Sequence, residues 1–249
     1  MTRRRWIADT WTSTTAALTG EQAEHLARVL RAEPGQIYDV VAGGFLHRAE
    51  IVSVRPAIGN QSAEVLFTLH EELEADSALP LHLLLAVFKF DHMEWAIEKA
   101  TELGVARITP VLARRTEKHL GQAAAKRAER WRRIALEASK QSRRTTVPEI
   151  ADPVALRAAL DQTTSPIRIL LSETEQVTSI ASALKQFDST AQDAELTHAL
   201  AIGPEGGWTQ EEMALFSQHG WQHVTLGPRI LRAETAAIAA IAILSSQIA

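Results

Sequence analysis

Two short segments near the C-terminus combine glycine, proline and charged residues in a way that suits ligand binding. The first, Ile202–Trp208, contains Gly203, Pro204, Glu205, Gly206 and Gly207, and the second, Leu226–Ala236, contains Gly227, Pro228, Arg229, Arg232 and Glu234. Glycine lets a ligand approach the backbone closely, and proline stiffens the turn around it. In the second segment, Ile230 and Leu231 predict a buried apolar lining for an aromatic ring. Together the segments predict one pocket built of backbone groups, with charges beside it.

Each segment also has a simpler interpretation. Both lie between a short apolar run and a helical pattern, so either one could be an ordinary strand-to-helix turn. Arg232 and Glu234 could form a surface ion pair, which is a common and weak interaction. The pocket is favoured because the two segments resemble each other, and because ligands of α/β sheets bind beyond the carboxyl ends of strands.

Several other kinds of site are excluded or disfavoured. The chain has no G-x-x-x-x-G-K-[ST] phosphate loop, no G-x-G-x-x-G loop after an early strand and no G-x-S-x-G nucleophile elbow. It has no cysteine, which excludes disulfides, thiolate catalysis and cysteine-held zinc or iron–sulfur sites. His219 and His223 have helical spacing, but Gly220 between them would end a helix, so we expect no metal site.

Charge is distributed unevenly along the chain. The formal net charge of the 249 residues is −4, yet Arg114–Arg144 holds 11 Lys or Arg and 3 Asp or Glu. This asymmetry indicates a polyanionic partner on one face, and a solvated helix face is the alternative. No run approaches the roughly 20 apolar residues that span a bilayer, and the basic N-terminus lacks the apolar stretch of a signal peptide. We therefore expect a cytoplasmic protein.

The N-terminal part predicts a small β-barrel-like unit. Its strand candidates are Tyr38–Val41, Ala49–Val54 and Ala63–Leu69. Gly43-Gly44, between the first two, indicates a hairpin. A short helix is expected to open at Thr19 and to place Leu26, Val29 and Leu30 on its apolar face.

After an acidic, aperiodic stretch that ends at Pro80, strand and helix patterns alternate. The strand candidates are Leu81–Val87, Arg107–Leu112, Ile167–Leu171, Leu196–Ile202 and His223–Leu226, and the helix candidates are Asp91–Leu103, Gln122–Gln141, Ser179–Gln186, Thr209–Gln218 and Glu234–Ile248. Such alternation predicts an α/β fold with a parallel sheet covered by helices. The last helix is apolar on nearly all sides, so we expect it to be fully buried or shared with a second subunit.

Five blocks of sequence occur along the chain in a characteristic order. They are His25–Arg31 with Gly35, Lys99–Val105, Glu137–Arg144 with Val147–Ile150, Gly203–Gly207, and Leu226–Ala236. Together they resemble the ribosomal RNA small-subunit methyltransferase E family over nearly the whole chain. Two departures from the family pattern, Lys140 where an acidic residue is common and Arg143 where glycine is often seen, add positive charge.

The resemblance implies a fold, a cofactor and partners. The implied fold is of the SPOUT type: a parallel sheet with a C-terminal trefoil knot over residues 80–249, and a PUA-like β-barrel over residues 1–72 that helps to hold RNA, joined by a linker over residues 73–79. The implied cofactor is S-adenosylmethionine, bound in the knot. The implied partners are 16S ribosomal RNA of the small subunit and a second copy of the chain, and the implied reaction is methylation of N3 of a uridine in the decoding region.

That reaction suggests roles for individual residues. Uracil N3 carries a proton that must leave, so a guanidinium beside O2 or O4 would stabilise the developing negative charge. Arg232 is the first candidate and Arg144 the next, while Glu205 or Glu234 would accept the proton or orient the arginine. The positions expected to hold the cofactor through backbone groups are Leu171, Ile202, Gly203, Pro204, Gly206, Gly207, Leu226, Gly227, Arg229, Ile230 and Leu231. The residues expected to contact RNA are Arg28, Arg31, Arg114, Arg115, Arg127, Arg130, Arg133 and Arg143, of which those on the long helix are expected to be free to face solvent or a ligand.

Three other functions compete with this one. A catalytically silent RNA-binding module of the same fold would not need Glu205, Arg232 and Glu234. A methyltransferase of this fold acting on another nucleoside, for instance in transfer RNA, fits less well with the His25–Arg31 block. A small-molecule α/β enzyme would not need the basic Arg114–Arg144 region.

Overall fold

The computed structural model describes residues 5–74, 77–185 and 196–248, which form two compact units. The N-terminal unit is Met1–Ser77 together with Ser139–Thr146, and the C-terminal unit is Ala78–Ala138 together with Val147–Ala249. Residues 75 and 76 of the predicted linker, and Gln186 of a predicted helix, lie outside the described residues. In the described parts of the chain, no helix is long and apolar enough to cross a membrane.

The predicted strands and helices are found at their places, with ends shifted by a few residues. The strands are β1 Arg5–Ile7, β2 Thr10–Trp11, β3 Thr15–Thr19, β4 Ile37–Ala42, β5 Phe45–Arg55, β6 Glu64–Leu73, β7 Leu79–Ala86, β8 Val105–Leu112, β9 Glu149–Ile150, β10 Val154–Ala155, β11 Ile167–Leu171, β12 His198–Ile202 and β13 Gln222–Val224. The helices are α1 Gly20–Glu24, which continues as a π-helical turn over His25–Val29, α2 Phe90–Glu102, α3 Lys118–Ser142, α4 Leu156–Asp161, α5 Ile180–Leu184, α6 Gln210–Gln218 and α7 Ala233–Ile248.

The N-terminal unit contains one curled sheet with the strand order β1-β4-β5-β6-β3-β2. The hairpin predicted at Gly43-Gly44 is present between the antiparallel strands β4 and β5, and both glycines have positive φ. The chain that leaves β1 forms hydrogen bonds with β4 and with β3, which lie near opposite edges of this sheet. Ala8 N donates to Val41 O (2.8 Å), and Asp9 N donates to Ala17 O (2.9 Å).

The short helix after β3 buries fewer apolar residues than its sequence predicts. Leu26 is fully buried, but Val29 is 65% exposed and Leu30 is 37% exposed. The helix becomes a π-helical turn at His25, so the 3.6-residue spacing behind the prediction no longer holds beyond that point. The expected apolar face is therefore wrong for Val29 and Leu30.

The C-terminal unit is built on a parallel sheet, which confirms the predicted α/β class. The strand order is β10-β8-β7-β12-β11-β13, with β9 beside β8, and the pairs are parallel. Leu83 and Leu84 are neighbours in β7, so their side chains point to opposite faces of the sheet. Both are fully buried, each in a different apolar cluster. The continuous apolar run of β7 is thus explained by burial on both faces.

Two helices bear out their sequence patterns in detail. The predicted apolar stripe of α3 is buried along its length and comprises Ala124, Ala128, Trp131, Ala135 and Ala138. The predicted capping box begins α6: Glu212 N donates to Thr209 Oγ1 (3.3 Å), and Thr209 N donates to Glu212 Oε2 (2.8 Å). These bonds satisfy backbone donors that the first turn of a helix leaves unpaired.

The last helix, α7, is only partly buried in the chain. Its core-facing residues include Ala237, Ala240, Ile241 and Leu244, which are fully buried. Thr235 and Ala242 are exposed, and Ile238 and Ala239 are half-buried. Complete burial within one chain is therefore wrong, because Thr235 and Ala242 are exposed.

Candidate functional site

A cavity of about 920 Å³ lies in the C-terminal unit, where loops leave the carboxyl ends of parallel strands. Its walls include the loops that follow β11, β12 and β13. The cavity falls within the range of roughly 300–1,000 Å³ that is usual for small-molecule sites. Its position is the one where α/β sheets bind ligands.

The first glycine loop, residues 203–209, forms a wall of this cavity that is held by hydrogen bonds. Gly207 N donates to Pro204 O (2.8 Å), and Arg115 Nη1 donates to Gly206 O (2.6 Å). Gly207 has a φ of 69°, which favours glycine. A Cβ atom at Gly203 would lie 3.0 Å from Nε1 of Trp208, so a side chain there would displace the indole.

A buried carboxylate anchors the far end of this loop. Glu212 is 6% exposed and accepts hydrogen bonds from Thr209 N (2.8 Å) and from Arg114 N (2.7 Å). The second bond joins the start of α6 to the segment that follows β8. Because both donors are backbone groups, the loop is fixed on two sides by one side chain.

The second glycine loop, residues 225–232, forms another wall and is more open. Gly227 N donates to Thr225 Oγ1 (3.1 Å), the Thr225 hydroxyl donates to Gly227 O (3.2 Å), and Thr225 N donates to Thr178 O (2.8 Å). Leu231 is half-buried, but Ile230 is 82% exposed. Ile230 therefore lines the cavity, as predicted, but its side chain is exposed and not buried.

The third wall, Ser172–Gln176, was missed by the sequence analysis except for the adjoining Leu171. Ser172 N donates to Val224 O (2.9 Å), which ties this loop to β13. Hydrogen bonds from the backbone N–H groups of Thr178 and Val177 lower the pKa of the Glu175 carboxyl. The signal available in the sequence was a polar run placed directly after a buried strand.

A group of charged side chains lies at the cavity where α2 meets the first glycine loop and α7. Nδ1 of His92 is 3.4 Å from Oε1 of Glu234 and 3.9 Å from Oε1 of Glu205, and its Nε2 is 3.7 Å from Oδ2 of Asp91. His92 and Glu205 line the cavity, while the Glu234 side chain is only 4% exposed. Within the parts of the chain that the structure describes, no group of three His, Asp or Glu side chains is arranged to hold a metal ion.

The structure brings most of the predicted site residues together. All the positions predicted to hold a cofactor line the cavity: Leu171, Ile202, Gly203, Pro204, Gly206, Gly207, Leu226, Gly227, Arg229, Ile230 and Leu231. Of the predicted catalytic residues, Arg232 and Glu205 also line it, and Glu234 lies beside it next to His92. Arg144 belongs to the N-terminal unit, where burial lowers its pKa to about 10, so it keeps its charge at neutral pH.

Two of the basic residues of α3 form ion pairs with a carboxylate of α2. Arg130 Nε is 2.7 Å and Arg127 Nη1 is 3.3 Å from Oε1 of Glu94, and the Arg127 guanidinium lies 4.9 Å from the centroid of the Phe90 ring. Both side chains lie off the apolar stripe and are partly exposed to solvent, as predicted, although α2 presents a carboxylate to them. Arg133 is exposed and makes no ion pair with any described residue.

The other arginines predicted to contact RNA are divided between the two units. Arg115 lines the cavity, and Arg114 beside it is exposed. In the N-terminal unit, Arg28 is exposed and forms an ion pair within its helical turn. Arg31 and Arg143 are exposed and have positive φ values of 50° and 61°.

Comparison with known proteins gives relatives over nearly the whole chain. A family model described as an RNA methyltransferase domain matches residues 75–245. The chain is 36% identical over 231 residues to "Ribosomal RNA small subunit methyltransferase E" of Synechocystis, which covers 92% of this chain and 72% of the relative. It is 31% identical over 239 residues to the protein of the same name from Bacillus subtilis, which covers 94% of this chain and 90% of the relative.

Solved structures with the same overall fold are found as well. A ribosomal RNA small subunit methyltransferase E from Neisseria gonorrhoeae, bound to S-adenosyl methionine, is 30% identical with a TM-score of 0.77 and covers 98% of each chain. A putative methyltransferase from Legionella pneumophila, in complex with the same cofactor, is 30% identical with a TM-score of 0.77 and covers 99% of this chain and 98% of its own.

Proposed function

Because this chain belongs to the ribosomal RNA small subunit methyltransferase E family, we propose that it methylates N3 of a uridine in the decoding region of 16S ribosomal RNA, with S-adenosylmethionine as the methyl donor. The observation that carries the proposal is the convergence of two distant glycine segments on one cavity. Two relatives of known structure bind the same donor.

The cavity suits S-adenosylmethionine by its size and by the bare backbone of its walls. Gly203 and Gly207 leave the peptide groups of the first glycine loop uncovered, since neither position tolerates a side chain without displacement or strain. Backbone N–H and C=O groups of both glycine loops and of Leu171 would hold the adenosine part. S-adenosylmethionine, when bound, supplies an electrophilic methyl group on a sulfonium sulfur.

The charged residues at the cavity supply what the uracil ring requires. N3 is a poor nucleophile until its proton leaves, and the negative charge that then develops spreads to O2 and O4. Arg232, which lines the cavity and is exposed, would stabilise that charge through its guanidinium. Glu205 or Glu234 would accept the proton or orient the arginine. Arg144 stays a second candidate for the guanidinium role.

Holding the ring and the methyl donor in line contributes to the rate as well. In the best intramolecular reactions such alignment lowers the barrier by roughly 7–11 kcal/mol. The hydrogen-bonded first glycine loop is suited to this task, because Arg115 and Glu212 fix it from two sides.

The finer features of the fold are part of the proposal. The chain between residues 80 and 249 would form a SPOUT domain with a trefoil knot at the glycine loops, and residues 1–72 would form a PUA-like barrel that holds RNA, with residues 73–79 as the linker. The curled N-terminal sheet supports the barrel. The protein would act in the cytoplasm.

The partly exposed face of α7 suggests a homodimer. Ile238, Ala239 and Ala242 form a small apolar surface on this helix, and a second copy of the chain would cover it. Sedimentation at micromolar concentration tests the dimer. A single 27.3 kDa species would contradict it.

Arginine side chains are proposed to contact RNA phosphates, and Arg133 offers the clearest test. It is exposed and not engaged with another described residue, whereas Arg130 already pairs with Glu94. Arg133→Glu should weaken RNA binding at low salt and reduce the slope of affinity against salt by about one. If binding by this variant equals that of the wild type at every salt concentration, the basic face of α3 is only a solvated surface.

The reaction itself is tested on ribosomal RNA from cells. Nucleosides of 16S RNA are mapped by mass spectrometry in cells with the gene, without it, and with an Arg232→Ala copy restored. We expect one N3-methyluridine to disappear with the gene and to return only with the wild-type copy. An unchanged set of methylated uridines in 16S RNA would contradict the proposal, and a methyl group lost from transfer RNA would favour the alternative substrate.

A further inference from the structure

His92 is a cavity residue to which the proposed reaction assigns no role. It lies in the first turn of α2 and stands between two carboxylates that belong to different elements, Glu205 on the first glycine loop and Glu234 at the start of α7. We propose that the imidazolium form of His92 is a positioning residue that ties Glu205 to Glu234 and so holds the cavity in the shape that binds S-adenosylmethionine. This inference rests on the proposed function for the identity of the ligand.

Because Glu234 is buried, its contact with His92 matters for the stability of the site. The Glu234 side chain is 4% exposed, and among the described residues its ion partner is His92. Glu234 Oε2 and His92 Nδ1 are both buried atoms without a hydrogen-bond partner among those residues. A buried carboxylate without a compensating positive charge is strongly destabilising, so this site calls for a cation next to Glu234.

The charges around His92 favour the role of a counter-ion over that of a proton acceptor. Three carboxylates surround the ring, each from a different segment: Asp91 from its own helix, Glu205 from the first glycine loop and Glu234 from α7. The cations that line the same cavity are Lys89, Arg115, Arg229 and Arg232, and none of them forms an ion pair with Glu234 within the described residues. A neutral imidazole would leave the carboxylates of Glu205 and Glu234 to repel each other.

The proposed contact requires the charged form of the ring. Imidazole side chains in general change charge between about pH 5 and about pH 8, and a neutral ring would not link the two carboxylates. Burial favours the neutral form of two other histidines of this unit. Burial, and secondarily the charge of Arg107, lowers the pKa of His82 to about 4, and burial also lowers the pKa of His198.

Calorimetric titration with S-adenosylmethionine near the two ends of that range tests the link. We expect wild-type affinity to fall as pH rises, and His92→Gln to bind roughly tenfold more weakly at the acid end. His92→Lys, which keeps a positive charge at both ends, should bind equally well at both. The matched control is His70→Gln, which removes a histidine 3.3 Å from Glu50 in the N-terminal unit and should behave as the wild type.

Unfolding measurements test the contact between His92 and Glu234 without any ligand. Unfolding of the wild type, His92→Gln, Glu234→Gln and the double variant gives a coupling between the two residues, which we expect at the acid end and not at the basic end. Absence of coupling at both ends, or wild-type affinity in His92→Gln, would overturn the inference. If the wild type binds no S-adenosylmethionine but the coupling is present, the proposed function fails while the link between His92 and Glu234 stands.

Discussion

The two glycine loops of the cavity begin alike in sequence and differ in how they are held. Gly203-Pro204 and Gly227-Pro228 both follow a strand of the parallel sheet. The first loop is fixed from outside by Arg115 and by the buried carboxylate of Glu212. The second is exposed from Gly227 to Ile230, and the bonds within it are those between Thr225 and Gly227.

This difference suggests a division of labour between a fixed wall and an adaptable one. A loop held from outside by several hydrogen bonds contributes to the stability of the unit, so damage to it should appear in unfolding experiments. An exposed loop with few bonds contributes little to stability, so damage to it should appear in binding and in activity. The variants below test this division, from the largest expected effect to the smallest.

The largest effect is expected at the end of the second loop. Arg232→Ala should lower the rate of methyl transfer by roughly a hundredfold to a thousandfold, as does the loss of a group that stabilises developing negative charge. Thermal unfolding should be unchanged, because the side chain is exposed. Single-turnover rates measure the effect, and Arg232→Lys should recover part of it. A large fall in melting temperature would show that the second loop also contributes to stability.

The second effect concerns the anchor of the first loop. Glu212→Ala removes a buried acceptor of two backbone N–H groups and should lower the free energy of unfolding by about 3 kcal/mol, measured in urea. Glu211→Ala is the matched control, since its neighbouring side chain is exposed, and its stability should stay close to that of the wild type. Equal stabilities for the two variants would show that Glu212 does not anchor the first loop.

A pair of glycine variants compares the loops directly. Gly207 and Gly227 have φ values of 69° and 111°, so alanine is strained at both positions. Gly207→Ala should lower the free energy of unfolding by about 1–2 kcal/mol, because its fixed loop cannot relax. Gly227→Ala should cost less stability, since the open loop can shift, while it weakens cofactor binding. The reverse order of stabilities would show that the second loop is the rigid one.

The smallest effect is expected from the bond between Arg115 and Gly206. Arg115→Ala removes a 2.6 Å hydrogen bond at a partly exposed site and should lower the free energy of unfolding by about 1 kcal/mol. Arg114→Ala provides the comparison, because Arg114 contacts Glu212 through its backbone N–H, which the substitution retains. Identical unfolding curves for both variants would mean that Arg115 does not hold the loop.

The sequence predicted those parts of the molecule that depend on local pattern. The parallel sheet followed from alternating strand and helix patterns, and the α6 capping box followed from Thr209 and Glu212. The convergence of the two glycine segments was also predictable, because both follow strands of one sheet. These features require only neighbouring residues, or a general rule of sheet topology.

Features that depend on contacts between distant elements escaped the sequence. His92 lies more than a hundred residues from Glu205 and Glu234, and only the docking of α2 beside α7 brings them together. A helical projection places Arg127 and Arg130 off the apolar stripe, but it does not show that Glu94 of α2 pairs with both. The exposure of Ile230 is not revealed by its apolar residue type.

A crystal structure of the protein with S-adenosylmethionine tests the central claim most directly. We predict that the adenosine lies between the first and second glycine loops, where it accepts hydrogen bonds from backbone N–H groups and donates to backbone carbonyl groups. We also predict that residues 203–209 keep their positions while residues 225–232 shift toward the ligand. Binding at another place on the molecule, at a concentration that saturates the protein in solution, would contradict the account.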